Sequence, residues 1–312
     1  MAVIALLGDI NIDLVLDIPI YPGEGGEAIA THQTVAIGGS ATNTAIALAR
    51  AGHECRLIGQ VGQDAWGRHA LMELQATGVA TRWIGQDPSE PTQLNIVAVS
   101  ATGERTMFAY RGANAQLSAD MVDEAALAGA ALLHLSGYAF LQPRQAGAAM
   151  RAIDIAVRKG IPVTLDIPGG VVDALGDKVR PVLASLDTIM LADSDLPRLL
   201  GEPVDATLDD LVAVLLERGV DRVAIKGNST ASLLYQRNIR DSAPWFCVDV
   251  VDTVGAGDAF AAGHIHGRIT ELSGGYCCRL ANAFGAVAVT RKGAGLAMPA
   301  LDEVLDLMTC DR

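Results

Sequence analysis

Asp252-Thr-Val-Gly-Ala-Gly-Asp258-Ala-Phe260 decides how this chain is read. The apolar run 246–251 ahead of it predicts a strand, and the apolar stretch 255–270 predicts a helix, so a Gly-Ala-Gly turn stands at the helix start. The amides of Ala256, Gly257 and Asp258 then lack intrahelical acceptors and point outward at the positive end of the helix dipole. That is an anion site, and glycines let an anion approach the backbone closely. Asp258 is the unexpected member, because a carboxylate repels an anion. Two readings stand. It is a favourable charge at a helix N-terminus, or it is a general base that takes a proton from an attacking hydroxyl. Phosphoryl transfer needs that second arrangement, with one group holding charge and another deprotonating the nucleophile. The turn is not a dinucleotide fingerprint, since Phe260 stands where a third glycine belongs. It is not a P-loop either, since the chain has no Gly-Lys dipeptide.

Outward from this turn, strands and helices alternate from about residue 130. Strands are predicted at 131–135, 161–166, 187–191, 221–226 and 231–236. Helices are predicted over 143–159, 171–185 (interrupted by Pro181), 208–218, 275–291 and 300–309. Thr207 and Asp210 resemble a capping box before the third of these helices. Towards the N-terminus, 3–7 and 55–61 read as strands, and 42–51 and 65–76 as helices. Such alternation implies βαβ units and a mostly parallel sheet covered on both faces, an α/β fold. Residues 9–37 and 92–115 break the pattern with short β-like runs, including 94–100 and 105–110. They predict a small β element beside the main sheet, within a single domain spanning 1–312.

Two further motifs carry polar groups at strand ends, where open α/β sheets bind ligands. Gly38-Gly39-Ser-Ala-Thr-Asn43 opens a small-residue helix. Its glycines allow close approach of a polar ligand, and Asn43 offers donor and acceptor together, which suits a pair of sugar hydroxyls. A plain glycine turn with a cap at Thr42 or Asn43 is the plainer alternative. Gly8-Asp9-Ile-Asn11-Ile-Asp13 places Asp9, Asn11 and Asp13 on alternate positions, so that all three share one side of the chain. Solvated turn polarity is the plainer alternative.

Composition narrows the partners. With 23 Lys+Arg against 36 Asp+Glu, the net charge of −13 repels nucleic acid and anionic membranes. Aromatic residues at 4% leave little for a base-stacking surface. The five cysteines, Cys55, Cys247, Cys277, Cys278 and Cys310, are odd in number and form no C-x-x-C pair, which fits free thiols in a reducing compartment. The apolar start is too short for a signal peptide or a membrane span, so a cytoplasmic protein is expected. His264-x-His266 does not share a helical face and offers no third ligand nearby, so a structural or solvent role is expected in place of a metal site. Asp205, Asp209 and Asp210 read as a solvated helix start.

Gly38-Gly39 with Asn43, and Asp252-Thr-Val-Gly-Ala-Gly-Asp258, resemble the two signatures of the ribokinase-like (PfkB) carbohydrate kinase family, at the separation that family shows and over nearly the whole chain. The resemblance implies a Rossmann-like α/β domain with a β lid (segments 9–37 and 92–115) and ATP- and Mg²⁺-dependent phosphorylation of a sugar or nucleoside hydroxyl. It implies Asp258 as catalytic base, with Gly255, Ala256 and Gly257 as the anion hole. It implies Asp13, Gly38, Gly39 and Asn43 as substrate contacts, with Arg111 and Asn114 reaching substrate or phosphate. Lys226-Gly227 matches the start of the nucleotide site, and Asn282 matches the adenine pocket. Asp252 and Thr253, with the turn 291–295, resemble monovalent-cation loops, which adds K⁺ as a candidate cofactor. The family's Asn-x-x-Glu, which organises magnesium and phosphate, is replaced by Ala-Asp193-Ser-Asp195, and Asp193 or Asp195 is the expected substitute. The nucleotide stretch 227–231 lacks a second glycine common there.

Within that family a small sugar is the expected substrate. The early segment 9–50 offers only Tyr21 to stack a nucleobase, although Phe108 and Tyr110 lie in the second lid segment. A nucleoside kinase is the alternative, and a non-catalytic sugar- or nucleotide-binding protein a third. An exposed lid edge leaves room for a homodimer.

Overall fold

Every residue of Val3–Leu7 (β1) is apolar, and the strand is buried on both faces. Ala5 and Leu7 pack into one core cluster, Ile4 and Leu6 into another. A strand that hides both faces belongs to a sheet sandwiched between helices. The computed structural model shows that sheet and describes residues 1–202, 206–227, 231–237 and 239–310. The expected nucleotide-loop residues Asn228, Ser229 and Thr230, and the acidic Asp205, lie outside the described residues.

The strands that follow are β2 (Asn11–Asp17), β3 (His32–Gly38), β4 (Glu54–Gly62), β5 (Ile84–Asp87), β6 (Gln93–Val99), β7 (Arg105–Tyr110) and β8 (Leu132–Ser136). Then come β9 (Val163–Asp166), β10 (Thr188–Ala192), β11 (Arg222–Lys226), β12 (Ser232–Gln236) and β13 (Ile239–Ala243). Nine strands form the main sheet in the order β13-β12-β11-β10-β9-β8-β1-β4-β5. It is parallel from β11 to β5, and β12 and β13 add antiparallel at one edge. The helices are α1 (Ser40–Arg50), α2 (Ala65–Ala76), α3 (Pro143–Arg158), α4 (Gly176–Val179), α5 (Leu196–Leu200) and α6 (Leu208–Glu217), then α7 (Ala256–Ile269), α8 (Gly274–Val289) and α9 (Leu301–Cys310). Helices α3 and α6 cover one face through Ala152, Ile153, Leu211 and Leu215. Helices α1, α7 and α8 cover the other through Ile46, Ile265 and Phe284. This is the α/β sandwich expected from the alternation.

A separate four-stranded sheet, ordered β3-β2-β6-β7, is built from the two segments that broke the alternation. Its central pair, β2 and β6, is parallel, and the outer strands add antiparallel.

Two expected elements are absent. The run 246–251 is not a strand: it lies beyond β13, and the amides of Val251 and Asp252 donate to Val289 O at 2.8 and 3.2 Å rather than to a neighbouring strand. β-Propensity without a strand to pair with makes extended chain only. The stretch 171–185 is not one helix but 3₁₀ turns on either side of the four-residue α4, broken where Pro181 supplies no amide. Thr207 caps α6 as expected, accepting from Asp210 N at 3.2 Å.

Candidate active site

Strands β1, β9, β10 and β11 all end at one edge of the main sheet, and β1, β9 and β11 place Asp9, Asp166 and Lys226 there. Helices α1 and α7 start at the same edge. A cavity of about 740 Å³ opens between it and the four-stranded sheet. The main body contributes Asp9, Tyr138, Asp166, Asp195, Lys226 and Asp258 to its wall; the second sheet contributes Asn11, Asp13, Asn95, Val97, Arg105 and Met107.

Both helix starts depend on a glycine. Gly255 precedes α7 with φ 77°, and Gly39 precedes α1 with φ 108°, both in the region that excludes most side chains. A Cβ on Gly255 would also strike the Met298 methyl, and one on Gly39 would strike Asp9 O. Neither helix has a side-chain cap, so their first amides stay available. The Ala256 amide differs from expectation. It donates to Thr253 O at 3.3 Å, so Gly257 and Asp258 are left as the first-turn amides that meet the cavity.

Asp258 stands on the first turn of α7. Asn43 Nδ2 donates to its Oδ2 at 2.7 Å, Thr44 Oγ1 donates to its carbonyl at 3.2 Å, and Gly295 N donates to Asn43 Oδ1 at 3.0 Å. Asn43 therefore spends both ends of its amide on protein groups and holds the carboxylate, where a sugar contact was expected. Burial pushes the Asp258 carboxyl up to about 6. The Asn43 bond, the Ser40 hydroxyl and Lys226 pull it back, and Asp166 pushes it further up.

Asp13 takes two amide donors on one oxygen: Asn11 Nδ2 at 2.7 Å and Asn95 Nδ2 at 2.8 Å both reach Oδ1. Oδ2 is left for a ligand. Burial raises the Asp13 carboxyl above the usual range, and the two amides oppose it. Gly38 faces this carboxylate so closely that a Cβ there would collide with Oδ2. Arg111 pairs with Asp9 at 2.8 Å and donates to Gln145 Oε1 at 2.6 Å, while Gln145 Nε2 donates to Asp9 at 2.7 Å. Lys226 forms an ion pair with the buried Asp166 through Oδ1. Burial raises the Asp166 carboxyl, and Lys226 opposes that.

Two expected site residues turn away. Asn114 is fully buried: its amide donates to Ile10 O at 2.8 Å and Gln93 Oε1 at 2.9 Å, and its Oδ1 accepts from Ile10 N at 3.1 Å. It fastens the places where the chain enters β2 and β6 and does not line the cavity. Asn282 Nδ2 donates to the carbonyls of Ala243 and Pro244 at 3.0 and 2.9 Å, away from the cavity wall. Asp193 accepts from Ser194 N at 2.8 Å and is exposed, whereas Asp195 reaches the cavity. Gly227 follows Lys226 at the end of β11. Asp252 binds Arg105 and the amides of Val254 and Gly293, and Thr253 borders a smaller pocket beside it.

Asp166, Tyr138 and Gln145 were not singled out in the sequence. Asp166 had a signal, a carboxylate closing the strand-like run 161–166, where parallel sheets place their ligands. His266 Nδ1 shares a hydrogen bond with His53 Nε2 at 3.0 Å. Among the described residues no cluster of three or more His, Cys, Asp or Glu is placed to hold a metal ion, and no helix is long and apolar enough to cross a membrane.

Known proteins share this architecture. The chain is 33% identical over 301 residues to an ATP-dependent ribose-1-phosphate kinase from Halopiger xanaduensis, with 95% of each chain covered. An E. coli chain assigned as a ribokinase II, solved in complex with ATP and Mg²⁺, superposes with a TM-score of 0.90 at 25% identity, covering 99% of this chain and 100% of that one. An Arabidopsis thaliana ribokinase complexed with ribose and ATP superposes with a TM-score of 0.84 at 26% identity over 98% of both chains. Residues 1–301 match the profile of the pfkB family carbohydrate kinases. The glycine-started helices, the carboxylate between them and the full-length match lead to one conclusion: the chain belongs to the pfkB family of carbohydrate kinases, phosphotransferases with an alcohol group as acceptor.

Proposed function

We propose that this kinase transfers the γ-phosphoryl group of ATP to a hydroxyl of a small, uncharged sugar held under the four-stranded sheet, which acts as a lid on a single catalytic domain. The observation that carries this reading is Asp258: a carboxylate pushed up to about 6, held by Asn43 through Oδ2 and facing the cavity beside the Gly257 amide. Its Oδ1 is the oxygen left to accept the proton of the sugar hydroxyl. As that proton transfers, the hydroxyl oxygen bonds to the γ-phosphorus, and the bond to the β-phosphate oxygen breaks with its electrons leaving on ADP. The Gly257 and Asp258 amides, with the Gly255 turn, then hold charge on the transferring group.

The sugar end belongs to Asp13. With Oδ1 committed to Asn11 and Asn95, Oδ2 can accept from sugar hydroxyls. An uncharged acceptor is favoured because each cation on the cavity wall already has a carboxylate: Arg105 with Asp252, Arg111 with Asp9 and Lys226 with Asp166. Among the described residues no aromatic side chain other than Tyr138 lines the cavity, which favours a sugar over a nucleoside.

Nucleotide binding falls to the opposite end, along the 168–171 turn, Lys226 and Gly227. The residues fit Mg²⁺. Asp166 and Asp195 are both raised by burial and neither is fully compensated by its cation, so a divalent ion bound with the nucleotide relieves both. When bound, it neutralises charge on the phosphates. The six exposed residues of β7, Met107, Phe108 and Tyr110 among them, favour pairing of two copies through the lid, which sedimentation would test.

An ADP-release screen over ribose, fructose, 2-keto-3-deoxygluconate, ribose-1-phosphate, adenosine, inosine and pseudouridine tests the reading. Turnover of an uncharged sugar is expected. Exclusive turnover of a nucleoside, of the phosphorylated sugar or of the anionic 2-keto-3-deoxygluconate would refute the substrate class.

A further inference from the structure

The four lid strands contain a single Lys or Arg, whose side chain is 32% exposed and whose guanidinium reaches the main body. Arg105, the first residue of β7, reaches across to the loop before α7 and pairs with Asp252. The Asp252 side chain is only 9% exposed. Its Oδ1 also accepts from Val254 N at 2.8 Å, and its Oδ2 accepts from Gly293 N at 2.9 Å. Both oxygens of the carboxylate are therefore occupied, and among the described residues its ion-pair partner comes from the lid.

The contacts continue to the base. Val254 lies two residues before α7 begins. Gly293 lies two residues before Gly295, whose amide binds Asn43 Oδ1 at 3.0 Å, and Asn43 Nδ2 binds Asp258 Oδ2 at 2.7 Å. Each step from the lid strand to the catalytic carboxylate is a hydrogen bond or two residues of backbone.

We propose that Arg105 is a positioning residue: a latch on the lid that fixes the Asp252 loop, and through Gly293–Gly295 and Asn43 sets the Asp258 carboxylate, so that closure of the lid completes the site. The inference rests on Asp258 being the base. Arg105 pairs with Asp252 and not with the Asp258 carboxylate. An exposed ion pair is worth little, but this one neutralises a mostly buried carboxylate that also anchors two backbone amides. Removing the guanidinium takes away the ion-pair partner of Asp252 and loosens the loop. Misplacement of the base by about 1 Å costs on the order of 100-fold in rate.

The test uses the full chain with saturating ATP and the best sugar from the screen. R105Q is expected to lower kcat by about 10- to 100-fold with the KM for ATP little changed, and R105K to retain an intermediate rate. Added guanidinium ion is expected to restore part of the R105Q rate, which a loss of folding would not allow. D252N and R105Q together are expected to cost little more than R105Q alone. An R105Q rate within about twofold of wild type, or additive losses in the double variant, would overturn the latch. D258N is run in parallel. Near-normal turnover there sinks the base assignment, while an inactive D258N beside an unaffected R105Q sinks the latch alone.

Discussion

Strands β8 and β7 are similar in length and opposite in environment. All five residues of β8 (LLHLS) are buried; all six of β7 (RTMFAY) are exposed. The first lies mid-sheet between two helical layers, the second at the edge of the lid. The division follows the work each does. A packed sheet fixes Asp9, Asp166 and the helix that carries Asp258, because a core at crystal-like density moves little. The four-stranded sheet has strands that hold together by backbone pairing, and it turns Asn11, Asp13 and Asn95 to the cavity.

The largest effect that would sharpen this division is on chemistry seated in the body. D258N is expected to lower kcat by about 10²–10⁴-fold while sugar affinity, measured by calorimetry, stays within a few-fold. The same carboxyl gives a pH signature. With its value pushed up to about 6, kcat/KM falls about tenfold per unit of pH below that value and levels above it. A flat profile from pH 5 to 8 would remove Asp258 from the role.

Next comes packing. Leu133→Ala, on the buried β8, is expected to cost about 2–5 kcal/mol of stability by denaturant unfolding. Asp258 should have the reverse effect. Its folded value lies above that of the unfolded chain, so its contribution is full below about pH 4 and is lost as pH rises through about 6. Near pH 7 the unliganded D258N protein should therefore be more stable than wild type, by roughly 2–3 kcal/mol, and no more stable at pH 4.

On the lid, Asp13→Ala removes the ligand-facing oxygen and is expected to cost about 1–3 kcal/mol of sugar affinity, read as a raised KM with a smaller change in kcat. Met107→Ser, on exposed β7, should change stability by less than about 0.5 kcal/mol. A loss comparable to that of Leu133→Ala would show the lid to be part of the folding core and break the comparison.

Much of this was legible in the chain. The alternation from residue 130 specified a parallel α/β sheet because βαβ units have few ways to bury two faces. The Gly-Ala-Gly turn specified a helix start because glycine adopts the φ of 77° at Gly255 without strain. The 246–251 run misled because a β-prone sequence carries no record of whether a partner strand exists.

The sequence by itself determined the local matters: element types, the two glycine-started helices, and the presence of polar residues at strand ends, all set by propensity, periodicity and backbone sterics within a few residues. The tertiary structure alone decided which polar groups face the cavity. Asn43 binds Asp258 across 215 residues, Asn114 ties down Ile10 across 104, and Arg105 pairs with Asp252 across 147. An amide or a guanidinium has the same chemistry whether it meets a sugar or the protein's own backbone, and only the folding of distant segments onto one another fixes its partner.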